Sequence, residues 1–206
     1  MSSEAEKFDK MVREIIAPVF PVIAGQFLEQ SGILKGVCLD IGCGNGYLGL
    51  EIADQSELDV YLMDCDMEML KVAKSNLIER KLESKVKLLQ ADVHEIPLES
   101  ESVELVVSRG SVFFWEDQPK AFSEIYRILT PGGMAFIGGG FGNTKLKAQI
   151  DIEMEKHNPN WPEHLREKIG PDAPPKLSSV LSEAGITDFK IDYSPVGMWA
   201  VVQKKA

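Results

Sequence analysis

Cysteine and histidine are scarce: the 206 residues hold three of each. Cys38, Cys43 and Cys65 cannot all pair. None stands at metal-ligand spacing from another cysteine or histidine, so neither a disulfide framework nor a metal site is expected. They read as reduced thiols of a cytoplasmic protein. Long apolar runs are also missing. Nothing approaches the ~20 residues that span a bilayer, and the opening MSSEAEKFDKMVREII is charged and helical rather than a secretory core. No membrane contact is expected. Positive charge is short as well, with 22 Lys and Arg against 32 Asp and Glu, a formal net charge of −10. The nearest basic candidates, Lys71 with Lys74 and the Glu79-Arg80-Lys81 turn, are scattered among acids and read as a solvated helix face. A chain this acidic repels a phosphate backbone, so no nucleic-acid partner is expected. Internal repeats and low-complexity segments are absent from the sequence too.

What is present suits a single domain with one substantial core: hydrophobic residues make up 44% and charged residues 26%. Residues 4–30 predict one or two helices, broken near Pro18 and Pro21, with an apolar stripe of Phe8, Met11, Val12, Ile15 and Ile16. From Val37 the pattern changes. Short apolar runs at 37–39, 60–63, 86–89, 103–107 and 134–137 alternate with helical stretches at about 46–54, 66–80 and 118–129, while 90–102 reads mostly as loop. Strands apolar on both faces, alternating with helices, predict a doubly wound α/β fold with a buried parallel sheet. The run Gly138-Gly139-Gly140-Phe141-Gly142-Asn143 breaks that alternation. Helices are expected at about 144–157 and 161–169, ended by the 170–175 Gly-Pro stretch, then at about 176–184 with Gly185 closing it. Strands at about 187–193 and 196–203, joined by Ser194-Pro195, must be antiparallel neighbours because a parallel pair needs a long crossover. The expectation is a seven-stranded, mostly parallel sheet with one reversed strand.

The segment Val37-Cys38-Leu39-Asp40-Ile41-Gly42-Cys43-Gly44-Asn45-Gly46-Tyr47 runs strand, acid, glycine loop, helix. Glycines let a backbone turn sharply and approach a ligand, and the following helix presents free N–H groups. A dinucleotide site would want G-x-G-x-x-G, but counting from Gly42 the third place is Tyr47. Asp40 just before the loop disfavours a pyrophosphate and suits a ligand carrying an ammonium group. Those two residues argue against a nicotinamide-dependent oxidoreductase. Asp64 closes the second run, 24 residues after Asp40, where a ribose-binding carboxylate belongs. Asp92 follows the third. Each acid alone reads as a turn or cap residue. Three at successive strand ends behind a glycine loop mark a ligand site.

These segments resemble the class I S-adenosylmethionine-dependent methyltransferases, in particular the group containing the quinone-biosynthesis C-methyltransferases. The resemblance spans about residues 36–140. It is carried by LDIGCGNG (39–46), MDCDMEML (63–70), QADVHEIPLESESVELVVSRG (90–110) and EIYRILTPGG (124–133). The stretch SRGSVFFWED (108–117) is similar to that of an uncharacterised archaeal branch. The resemblance implies a Rossmann-like methyltransferase fold with a cofactor-binding core (36–140); around it the chain itself is expected to add an N-terminal helical cap (1–35), a helical lid (141–175), and a closing helix with antiparallel strands (176–206). It also implies S-adenosylmethionine as cofactor. The backbone at Gly42, Gly44 and Gly46 would hold the methionine part, with Asp40 orienting the amino group and the Ser108 carbonyl meeting the ammonium. Asp64, beside Cys65, would take the ribose hydroxyls. Asp92 would take the adenine amino group, with the Val93 N–H on a ring nitrogen.

Such a site moves a methyl group from a sulfonium to a nucleophile in line, with the protein aligning the partners and excluding water. The expected acceptor is a small molecule. Acceptor-side candidates are Arg109, Ser111, Phe113, Phe114 and Trp115. Family members often carry histidines near 113 and 114, and aromatic rings stand there instead. Those rings either attract the sulfonium or simply pack under the next helix. Arg109 either grips an anionic acceptor bidentately or pairs at the surface with Glu116 or Asp117. His94 is a weaker candidate base, as are His157 and His164. Phe141, Met154 and Trp161 are candidate pocket walls. A chain that binds the cofactor without transferring methyl, as a sensor or assembly partner, is the alternative.

Overall fold

The computed structural model describes residues 4–205, so residues 1–3 of the expected cap and residue 206 of the closing segment lie outside it. Helix α1 (Glu4–Met11) runs into a π-helical turn (Val12–Ile16), marked by the Ala17 N–H donating to the Val12 carbonyl at 2.8 Å. Helix α2 (Val19–Ser31) leaves at 74° to this segment. The break falls beside Pro18, as expected. Pro21 sits in the first turn of α2, where a missing N–H costs nothing. Among the described residues, no single helix is long and apolar enough to cross a membrane.

Strands β1 (Lys35–Ile41), β2 (Glu57–Asp64), β3 (Val86–Gln90), β4 (Val103–Arg109) and β5 (Leu129–Gly140) are parallel. Strand β7 (Gly197–Gln203) runs antiparallel to both β5 and β6 (Phe189–Ser194). The order β3-β2-β1-β4-β5-β7-β6 holds the expected seven strands with one reversed. Side chains alternate across the sheet. Cys38, Leu105, Val107 and Phe136 join a core with α2, α3 (Tyr47–Gln55) and α4 (Met67–Arg80). Leu39, Val106, Ala135 and Ile137 join the opposite core with α5 (Gln118–Ile128) and α8 (Ala173–Glu183). Phe136 is fully buried and stacks on Phe27 with centroids 4.4 Å apart. Burying a ring this completely contributes about 2–3 kcal/mol. Because β1 leads outward to β2 on one side while β4 lies on its other, a crevice opens above the C-terminal ends of β1 and β4.

Local chemistry sets the helix ends. Asp66 caps α4 by accepting from the Glu68 N–H, Asp117 caps α5 through Lys120, and Asn143 caps α6 (Thr144–His157) through Leu146. Gly185 follows α8 with φ 76°, closing it as its position predicted. Two expectations need correction. Gly138-Gly139-Gly140 do not interrupt the fold but finish β5, paired with Trp199, Met198 and Gly197. A Cβ on Gly138 would lie 2.0 Å from the Met198 carbonyl oxygen, so the glycines let the reversed strand approach rather than break the chain. Helix α8 begins at Ala173, not 176, because Pro174 and Pro175 fit a helix's first turn.

Candidate active site

At the end of β1 the chain turns through Gly42, Gly44 and Gly46 at φ 61°, 55° and 83°, values at which a side chain would be strained. The turn is held from the neighbouring strand: the Gly44 N–H donates to Asp64 Oδ2 at 2.8 Å, and the Asp66 N–H to Asp64 Oδ1 at 2.9 Å. Each oxygen keeps a lone pair for a further donor. From the other side, Ser111 Oγ donates to the Ile41 carbonyl at 3.1 Å and lies 2.5 Å from Ser108 Oγ.

Two cavities flank this turn. One, of about 420 Å³, is the more polar of the two and is lined by Gly42, Asp64, Cys65, Asp92, Val93 and Trp115 among others. The second, of about 480 Å³, is mostly apolar. Its walls come from the N-terminal helices (Phe8, Met11), from the 109–114 loop and from α6 and α7 (Trp161–Ile169), which contribute Met154 and Trp161. Both volumes are in the range of small-molecule sites. Gly42, Ser111 and Phe114 line both, so the cavities meet at the glycine turn.

Residues 39–137 match the methyltransferase-domain family. A solved structure of a Methanococcus maripaludis protein assigned to the S-adenosyl-L-methionine-dependent methyltransferases superposes with a TM-score of 0.95. It is 38% identical over 100% of this chain and 98% of that one. This chain belongs to the class I S-adenosylmethionine-dependent methyltransferases. It is also similar to the ubiquinone/menaquinone biosynthesis C-methyltransferase UbiE of Marinomonas, 29% identical over 66% of this chain and 55% of the relative. The uncharacterized methyltransferase YdaC of Bacillus subtilis is 35% identical over 53% of this chain and 60% of the relative. The matched stretches thus span little more than half of these curated relatives.

The residues of this methyltransferase fit the family's cofactor. A molecule carrying a sulfonium, an ammonium and a ribose diol is matched by carboxylates at the ends of β1, β2 and β3, two of which, Asp64 and Asp92, open into the polar cavity. Asp92 is also held ionised. The His94 N–H donates to it at 2.8 Å and the ring Nδ1 lies 2.5 Å away, which lowers its pKa.

Several sequence-derived roles change. Asp40 lines neither cavity; it is buried and accepts the Gly49 N–H at 2.9 Å, fastening α3 to β1. Burial raises its pKa to about 7, against the Gly49 hydrogen bond and helped by the Asp64 charge. Gly46 also lies off both cavities, and a Cβ there would come 2.9 Å from Leu62 Cδ1, so its role is packing against β2. The Ser108 side chain is buried and hydrogen-bonded to Ser111, which leaves the role expected of its carbonyl unchanged. Trp115 faces the polar cavity, edge-on to Phe122, instead of the acceptor side. His94 has both ring nitrogens engaged, Nδ1 on Asp92 and Nε2 accepting the Asp117 N–H at 3.2 Å, which leaves no free base. His157 is exposed and lines neither cavity, whereas His164 reaches the apolar one. Arg109 makes no ion pair with Glu116, Asp117 or any other described carboxylate. Its pKa, lowered to about 10 by burial, keeps it charged at neutral pH and so excludes it as a proton acceptor.

Other contacts were not legible in the sequence. Asp9 of α1 accepts from Asn45 at 3.1 Å and Asn76 at 3.2 Å, tying the N-terminal helix to the glycine turn and to α4. Trp161 Nε1 donates to Asp151 at 2.9 Å, fixing the indole that meets Phe141 edge-on. Phe8 and Met11 belonged to a visible apolar stripe, but helical spacing cannot separate a cavity wall from a core.

Proposed function

We propose that this chain binds S-adenosylmethionine in the polar cavity and transfers its methyl group to a small molecule held in the apolar one. The observation that carries the reading is the meeting of the two cavities at Gly42, Ser111 and Phe114. The bound cofactor would supply an electrophilic methyl carbon on a sulfonium that leaves as a neutral thioether. The chain would supply binding and alignment: Asp64 for the ribose hydroxyls, Asp92 and the Val93 N–H for adenine, Cys65 beside them, and the backbone of Gly42 and Gly44 for the methionine portion. Asp40 and Gly46 would act from beneath, keeping the turn in shape, while the Ser108 carbonyl would meet the ammonium.

The new bond would form from an acceptor lone pair as the sulfur–carbon bond breaks in line, with the pair returning to sulfur. The 1–35 cap and the 141–175 segment would act as the lid that excludes water. The titratable side chains lining the apolar cavity are Arg109, His164 and Lys168. Alignment of an acceptor already nucleophilic therefore suits it better than abstraction by a dedicated base. A cytoplasmic location, in keeping with the free Cys38, Cys43 and Cys65, belongs to the same proposal. Calorimetric titration tests the reading. S-adenosylmethionine and its demethylated product should bind in the micromolar range, with no heat from NADH. Silence from both would refute it.

A further inference from the structure

The apolar cavity is unlike the rest of the molecule in charge. The chain carries 32 Asp and Glu, yet none lines this cavity; its polar lining is Arg109, Lys168, His164, Asn158 and Ser111. Arg109 is the deepest of the cations. Its guanidinium lies over the rings of Phe20 and Phe141, 5.3 and 5.6 Å from their centroids, and Nε donates to the Gly140 carbonyl at 2.9 Å. Among the described residues, nothing takes its two terminal nitrogens. Two ring contacts and one backbone anchor position the group, so its free edge is a held fork. A planar fork of this kind matches a carboxylate bidentately. Lys168, exposed at the rim, sits 4.5 Å from the centroid of Phe114 and adds positive potential at the entrance.

A half-buried cation without a counter-charge is costly unless a ligand provides one. We infer that the methyl acceptor is an apolar, ring-bearing anion whose carboxylate or similar oxyanion is held by Arg109, its rings resting among Phe113, Phe141 and Trp161. The inference rests on the two-cavity reading above and narrows the acceptor to a class. It also suits the wider electrostatics: an anion entering an acidic protein is drawn to a cavity whose lining lacks acids.

The test uses the protein loaded with S-adenosylhomocysteine, titrated with 2-naphthoate and with the neutral isostere 2-naphthamide. Naphthoate should bind at least ~10-fold more tightly, as a charge-assisted bidentate contact predicts. Arg109→Met should reduce that preference to about 2-fold or less while leaving S-adenosylhomocysteine affinity within ~2-fold. Lys168→Met, on an exposed side chain that folding does not need, should weaken naphthoate ~2–3-fold and naphthamide not at all. Equal binding of the two naphthyl compounds, or no binding of either by the loaded protein, overturns the inference. So does an Arg109→Met variant that loses product affinity, since Arg109 would then hold the cofactor's own carboxylate. Failure of S-adenosylhomocysteine to bind wild type would instead overturn the two-cavity reading itself.

Discussion

Asp64 accepts the amide protons of Gly44 and Asp66 while opening into the polar cavity. One carboxylate thus shapes the glycine turn and presents acceptors to a diol. Asp64→Asn keeps one acceptor oxygen and loses the charge. It should weaken S-adenosylhomocysteine binding by ~1.5–3 kcal/mol, the range for a hydrogen bond to a charged group, as read by calorimetry. Asp40 behaves differently. Its folded pKa of about 7 lies above the ~3.9 of an unfolded aspartate, so the folded state holds a proton that the unfolded state has released between those values. The folded state binds more protons there, so stability falls as pH rises from about 4 to about 7, by up to ~4 kcal/mol for this group. Asp40→Asn retains an oxygen for the Gly49 N–H and removes the slope. Urea unfolding at pH 5 and pH 8 should show the variant gaining on wild type at the higher pH. A constant difference between the two would mean that Asp40 does not titrate in this window.

At the scale of elements, the junction of β5 with β7 decides how the sheet closes. Gly138 faces the Met198 carbonyl with no room for a Cβ, so Gly138→Ala must push the strands apart. A loss of ~1–3 kcal/mol is expected for such overpacking, visible as a lower unfolding midpoint. The glycine run illustrates what was and was not legible. As letters, Gly138 to Gly140 signal a break, because glycine is poor in isolated strands; only the neighbouring β7 turns that liability into a fit. The parallel strands were legible, since β1, β2 and β4 are apolar on both faces and each is followed by turn or loop residues. The helix caps at Asp66, Asp117 and Asn143 follow from local sequence, because a cap acts within three residues. The π-helical turn was not legible: its Val12 and Ile16 are buried against α6 and the core, partners that lie far away in the chain.

At the scale of the whole molecule, the apolar cavity is assembled from segments far apart in the chain: the N-terminal helices, the loop after β4, the end of β5, and α6 with α7. Such a cavity should tighten as a unit. Saturation with S-adenosylhomocysteine at about 100 times its Kd should raise unfolding free energy by ~2.7 kcal/mol. Hydrogen exchange should slow further in α1, α6 and α7 when 2-naphthoate is added, while the sheet amides change little. Uniform protection, with no excess in those three helices, would argue against a lid.

The sequence by itself determined the fold class, the order of strands and helices, and the acids at successive strand ends. All of these depend on periodicity and on spacings within one supersecondary unit. Only the tertiary structure decided which of those acids face a cavity. It buried Asp40 under α3 and opened Asp64 and Asp92, because each side chain's direction depends on which neighbour packs over its strand end. It also decided the character of Arg109. Its sequence neighbours Glu116 and Asp117 left a surface ion pair and an anion grip equally open, but Phe20 and Phe141, from distant segments, meet the guanidinium, and no described carboxylate pairs with it. A charge's partner is set by distance in space, and burial by rings that meet only in the folded chain.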